Sequence, residues 1–388
     1  MSKYKLFRIT TVPRSLALLK GQLKFMSKHF DVIAITNPQP EEYLQKVSEE
    51  EEVPVIGVEM TRRITLIKDI KAVFSLFKIF KKEKPLIVHT HTPKAGTVGM
   101  IAAFLARVPN RLHTVAGLPL LEAVGRKRTL LDFVEKITYA CATKVYSNSL
   151  GLKNIILKNR YCPSDKIKVI ANGSSNGINA NHFSKSHFID KELDQLRKSL
   201  NIEKDDFVFI FVGRLVKDKG INELIEAFKK ISNTHKNVSL LLVGRFEREL
   251  DPLFSETVTE IKNNPNIIET GFQTDVRPYF AISNVLVFPS YREGFPNVVM
   301  QAGAMELPSI VTDINGCNEI VENEKNGLIV PPKDTDALKN AMGLLLDNIG
   351  LRENLKSNSR EMITSRYEQQ IVWEALLKEY RELEINYK

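Results

Sequence analysis

Short apolar runs rich in β-branched residues recur along this 388-residue chain and alternate with helix-like stretches, and no other feature restricts its folding as strongly. In the first half the runs are "YKLFRIT", "DVIAIT", "PLIVHTHT", "NRLHTVAG" and "KVYSNS", with helical stretches that include residues 15–28 and 94–108. In the second half they are "FVFIFVGRL", "VSLLLVGR", "NIIETGF", "NVLVFPS", "PSIVTD" and "GLIVPP". Near-continuous apolar strands alternating with helices imply parallel pairing, with helices on both sheet faces. Asn172, Gly173, Ser174, Ser175, Asn176 and Gly177 form a run of turn residues between the two series. The expectation is an α/β protein of two doubly wound, Rossmann-like domains facing across a cleft, residues 1–180 and 181–365. A C-terminal helix, 366–388, is a candidate to pack back on the first domain.

Composition removes several classes. The apolar share of 43% and charged share of 26% suit a soluble globular enzyme. Cys141, Cys162 and Cys317 are scattered without a CxxC pair, so neither a disulfide framework nor a zinc knuckle is suggested. The first residues lack an apolar core of signal-peptide length, and no stretch has the roughly 18 apolar residues of a membrane span. A cytoplasmic protein is expected. The net charge of +9 is uneven: residues 1–180 hold 29 Lys and Arg against 14 Asp and Glu, whereas 181–388 hold 26 against 32. A basic first half fits solvated lysines, and equally a face turned to an anionic surface or acceptor.

Two stretches carry chemistry. "FVGRLVKDKG" places Gly213 and Arg214 where a buried strand ends, with Lys217 and Lys219 just before a helix. The planar guanidinium fork and the mobile ammonium suit a diphosphate; taken alone the stretch is equally a basic turn. Neither a P-loop nor a GxGxxG fingerprint is present. "PSYREGFPNVVMQAGAMELP" sets Glu293 at a strand end, then Gly294, Phe295 and a helix start. The first amides of that helix, near Asn297 and Val298, lack intrahelical partners and can meet a phosphate. Gly294 permits close backbone approach, Glu293 can accept from sugar hydroxyls, and Gln301 lies one turn beyond Asn297 on the same face.

Together "GRLVKDKG", "PSYREGFPNVVMQAGAMELPSIVTDINGCNEIV" and "NGLIVPP" resemble the donor half of retaining glycosyltransferase family 4, of GT-B fold. "HTHTPKAGTVGMIAA" and "IANGSSNGIN" resemble bacterial members that build capsule, exopolysaccharide or lipid-linked glycans. The resemblance implies that Arg214 and Lys219 hold the donor diphosphate, that Glu293 with the backbone of Gly294 and Phe295 holds the sugar, that the amides of Asn297 and Val298 reach the phosphate, and that residue 301 holds the ribose. Two positions depart from the family pattern. Gln301 stands where Glu is usual, and Ala116, in "HTVAGLP", where many members carry His. His91 is the histidine expected to face the cleft on the acceptor side.

The expected reaction is transfer of a sugar from a UDP-sugar to a lipid-linked carbohydrate acceptor, such as a polyprenyl-diphosphate sugar, with no cofactor, no metal and no nucleic-acid partner. A UDP-sugar 2-epimerase of the same fold and a non-enzymatic nucleic-acid or membrane-surface binder are the alternatives. "KDTD", with Asp334 and Asp336, is expected to cap a helix rather than hold a divalent ion. In residues 66–85, Ile67, Ile70, Val73, Phe74, Phe77 and Phe80 fall near one helical stripe with lysines around it. A buried face with a solvated basic back is expected there, and docking on anionic headgroups is the alternative.

Overall fold

The computed structural model describes residues 3–61, 65–247, 249 and 251–387. Two compact units divide the chain: Met1–Gly177 with Gln369–Lys388, and Ile178–Glu368.

In the first unit, β1 (Lys5–Ile9), β2 (Asp31–Thr36), β3 (Val55–Gly57), β4 (Ile87–His91), β5 (Asn110–Val115), β6 (Lys144–Ser147) and β7 (Ile167–Val169) form a parallel sheet in the order β3-β2-β1-β4-β5-β6-β7. The order reverses between β1 and β4, so the carboxyl ends of these strands flank a crevice. Strands β3 and β7, three residues each and only partly buried, carry too short an apolar signal to stand out in sequence. The helix expected at 15–28 is broken: a 3₁₀ segment, Pro13–Leu19, and a short helix, Gln22–Ser27, meet at Gly21. The final helix, Gln369–Ile385, belongs to this unit and buries Val372, Leu376, Tyr380 and Leu383.

The stripe expected on the helix Leu66–Glu83 is corrected by the structure. Its buried residues are Ala72, Leu76 and Phe80, whereas Ile67, Ile70 and Phe74 are 74%, 68% and 57% exposed. The helix packs on its neighbour, Pro93–Leu105, whose Lys94 pairs with Asp69 at 2.5 Å, while Leu66, Ile67, Ile70 and Phe74 stay exposed.

In the second unit, β8 (Phe207–Val212), β9 (Val238–Val243), β10 (Ile267–Gly271), β11 (Val285–Phe288), β12 (Ser309–Thr312) and β13 (Gly327–Val330) form a second parallel sheet, ordered β10-β9-β8-β11-β12-β13. Both β8 and β9 are fully buried, as expected of strands covered on two faces. Here the order reverses between β8 and β11. Asp334 caps the helix Thr335–Asp347 by accepting from the Ala337 amide at 2.8 Å, the role expected for "KDTD". Among the described residues no helix is long and apolar enough to cross a membrane, and no cluster of His, Cys, Asp or Glu could hold a metal ion.

Candidate functional site

The two stretches singled out in sequence leave β8 and β11, the strands that flank the switch point of the second sheet, and their loops meet there. After β8 the chain passes Gly213 and the exposed Arg214, forms a 3₁₀ turn, Lys217–Lys219, and enters the helix Ile221–Ser232 through Gly220. Gly220 has φ +69, and a Cβ there would stand 2.1 Å from the Pro289 carbonyl oxygen, so only glycine lets the two loops touch.

Lys219 crosses this contact and donates from Nζ to Oε1 of Glu293. Both side chains are mostly buried, 15% and 17% exposed. The Ser290 hydroxyl donates to the same carboxylate oxygen at 3.1 Å, and Asn315 Nδ2 donates to the Glu293 carbonyl. Gly316, at φ +80, brings the next loop so close that a Cβ would lie 2.6 Å from the Gly294 carbonyl oxygen. Glu293 is thereby fixed from three elements. Arg214 is held outside this pair: Nη1 donates to Glu247 Oε2 at 2.8 Å, and Asp218 lies at 4.0 Å. Burial works against the charge at Arg214, but the Glu247 bond and surrounding carboxylates outweigh it and raise its pKa. Asp218 also accepts from Arg292 at 2.8 Å, and its carbonyl accepts from the Tyr291 amide.

The helix Asn297–Ala304 starts directly after this loop. Its cap is Pro296, with no side-chain oxygen to meet the first-turn amides of Asn297 and Val298. Phe295 is buried and packs edge-on against Tyr367 at 5.3 Å between ring centroids, which anchors the turn. Gln301, half-buried on the same helix, has a side chain without a hydrogen-bond partner among the described residues. Gly213, Arg214, Lys219, Glu293, Gly294, Phe295, Asn297, Val298 and Gln301 thus share one end of one sheet. A paired cation, a fixed carboxylate and uncapped helix amides at one end of the sheet can hold a molecule that carries both phosphate and hydroxyl groups.

His91 belongs to the first unit. Expected to face the cleft on the acceptor side, it is 5% exposed at the end of β4 and bonded through Nε2 to the fully buried Arg8. Arg8 in turn donates to Gln22, and Gln22 to Asn176. Burial and the Arg8 charge push the His91 pKa well down, so the ring is neutral. His89 and His113 are likewise buried and neutral, bonded to Tyr380 and Thr114 and to Thr90 respectively. Sequence reasoning missed Glu247, Ser290 and Asn315. The Asn-Gly pair at 315–316 was the available signal, a turn sequence straight after a buried strand.

The comparisons with known proteins fall on the same division. Residues 193–362 match the family Glycosyl transferases group 1, and residues 25–173 match the Glycosyl transferase 4-like domain. Over 381 residues, 98% of this chain and 97% of the other, it is 37% identical to the capsular polysaccharide biosynthesis glycosyltransferase CapM of Staphylococcus aureus. The chain belongs to the group 1 glycosyl transferases. It is a glycosyltransferase of family 4, and its two Rossmann-like units are those of the GT-B fold. This glycosyltransferase is also 35% identical, over 74% of its length and 73% of the other's, to the Escherichia coli UDP-Gal:alpha-D-GlcNAc-diphosphoundecaprenol alpha-1,3-galactosyltransferase. Among solved structures, Anabaena HepE in complex with UDP aligns at TM-score 0.80 with 18% identity, covering 98% of this chain and all of the other, a likeness of fold.

Proposed function

We propose that this glycosyltransferase moves a sugar from a UDP-sugar to a lipid-linked carbohydrate acceptor, with retention at the anomeric carbon, in assembly of a bacterial surface polysaccharide. The observation that carries the reading is the cluster at the β8–β11 switch point: Lys219 paired with Glu293, Arg214 beside them, and an uncapped helix start at Asn297 and Val298. In this reading Arg214, Lys219 and the two amides meet the diphosphate, Glu293 with the backbone of Gly294 and Phe295 meets the sugar, and Gln301 meets the ribose. The reading uses no covalent nucleophile: the leaving diphosphate, its charge stabilised by the two cations, assists on the face the acceptor attacks. The positive groups are protein-borne, and no metal is required.

The acceptor class is supported by relatives whose names specify it, the Escherichia coli enzyme above and an N-acetylgalactosaminyltransferase of Campylobacter jejuni that acts on N,N'-diacetylbacillosaminyl-diphospho-undecaprenol, 28% identical over 92% of this chain. In this reading the enzyme sits peripherally on the inner leaflet, where such a lipid is presented, and the basic first half supports that position. A 2-epimerase has no support among these relatives, nor has nucleic-acid binding. The test is a panel of nucleotide sugars with a polyprenyl-diphosphate-sugar acceptor, read by mass spectrometry. An acceptor heavier by one sugar is expected, and free UDP-sugar isomerised without acceptor would replace the reading by an epimerase.

A further inference from the structure

A small cavity lies wholly within the first unit, at the carboxyl ends of β4 and β6. His91 and Ser147 close it from the strands, Ser174 and Ser175 from the run of turn residues, and Val372 and Leu376 from the final helix. It encloses about 20 Å³, room for one particle the size of a water molecule. Among the described residues no Asp or Glu lines it.

Hydrogen-bond donors border this space. Arg8 can only donate, and its Nε and Nη2 both meet His91 Nε2, at 3.2 and 3.0 Å, so that nitrogen accepts and the ring carries its proton on Nδ1. His91 is 5% exposed, and its Nδ1–H has no acceptor among the described residues. The Ser175 hydroxyl accepts from Asn148 Nδ2 at 2.7 Å, and the Ser174 hydroxyl accepts from the Gly177 and Asn176 amides at 3.0 and 3.4 Å, so each keeps its own proton to give. The charge behind these donors also calls for an acceptor. Arg8 is fully buried, its bonds end on the neutral groups His91 and Gln22, and its Nη1 has no partner among the described residues. Glu51 acts on it only through space, its carboxylate being taken up by the Gly21 and Lys24 amides. A buried cation without a bonded counter-charge is costly. Its bond to Nε2 polarises the imidazole and strengthens Nδ1–H as a donor.

We propose that this cavity binds a small monovalent anion, of the size of chloride, between His91 Nδ1 and the hydroxyls of Ser174 and Ser175. The ion offsets the Arg8 charge through the imidazole and holds Ser174 and Ser175 against the end of β4. Its binding does not depend on which sugar the enzyme transfers. A water molecule fits the same volume but leaves the charge uncompensated, and it is the occupant against which the ion is tested.

The test measures thermal unfolding of the full chain in sodium gluconate, whose anion is too large for the cavity, with sodium chloride or bromide exchanged in at constant ionic strength. A saturable rise of about 2–4 °C is expected with either halide. Anomalous scattering from crystals grown in bromide is expected to place one ion within hydrogen-bond reach of His91 Nδ1 and the two serine hydroxyls. Ser175→Ala, and His91→Gln, in which the amide oxygen can still accept from Arg8, are each expected to lose most of the halide-dependent rise. Equal midpoints in gluconate and halide, the result for water alone at the site, would overturn the proposal. So would a bromide peak without an effect in solution, which marks an adventitious ion only, or a halide effect kept in both variants. The wild-type response and the bromide position decide the question even where a variant does not fold.

Discussion

Lys219 and Glu293, 74 residues apart in the chain, form an ion pair at the point where the second sheet reverses its strand order. The cation proposed for the leaving diphosphate and the carboxylate proposed for the sugar are therefore held against each other before any donor arrives. A donor that brings both groups satisfies both partners at once, whereas a fragment with one of them leaves the other charge unpaired in a mostly buried place. Nucleoside diphosphate alone should thus bind less well than its size suggests.

Glu293→Gln is expected to lower kcat/KM by on the order of a hundredfold, because the amide both weakens the acceptor and leaves Lys219 without its counter-charge. Gln301→Glu should retain activity and tighten nucleotide binding, since a carboxylate accepts from ribose hydroxyls more strongly than an amide. Steady-state kinetics and UDP calorimetry on the two variants provide the check; the opposite ranking would reverse the placement of sugar and ribose.

Gly220→Ala should destabilise the second unit by about 2–5 kcal/mol, the sum of a left-handed backbone penalty and a clash with the Pro289 carbonyl. Urea unfolding reads this directly, and a loss below about 0.5 kcal/mol would mean that the two loops separate freely.

Acid should weaken the first unit. Burial pushes the His113 pKa down to about 4 and holds those of His89 and His91 well below the ordinary value. Above about pH 6.5 each ring is neutral folded and unfolded, and stability is unaffected. As pH falls below that, the unfolded rings take up protons and the folded ones do not, so each costs up to about 1.4 kcal/mol per pH unit until its folded pKa is reached. Unfolding midpoints in urea at pH 7.5 and pH 5 should differ accordingly, and equal midpoints would contradict the neutral, buried assignment.

Turnover is expected to persist in excess chelator, because Arg214, Lys219 and the amides of Asn297 and Val298 supply the positive charge. Complete loss restored by magnesium or manganese would assign the diphosphate to a metal instead.

Both sheets were legible because their central strands are buried on two faces and read as unbroken apolar runs, as "FVFIFV" does. Short edge strands such as β7 carry no such signal. The cluster proposed as the donor site was legible where one stretch held its parts, from Glu293 to Gln301. Its supports were not, because Ser290, Asn315 and Glu247 act through contacts that the fold alone creates. The Arg8 contact of His91 was not legible, because nothing in β4 announces that Arg8 of β1 would be buried beside it. The helix Leu66–Glu83 was misjudged because a periodic stripe tells which residues share a face but not which face is covered.

The central claim is that Lys219 and Arg214 stabilise a leaving nucleoside diphosphate, and donor kcat/KM in Lys219→Ala and Arg214→Ala at fixed acceptor tests it most directly. Each variant should lose about a hundredfold, the effect of removing a charge that contributes roughly 3 kcal/mol to the transition state. Wild-type rates in both would contradict the account.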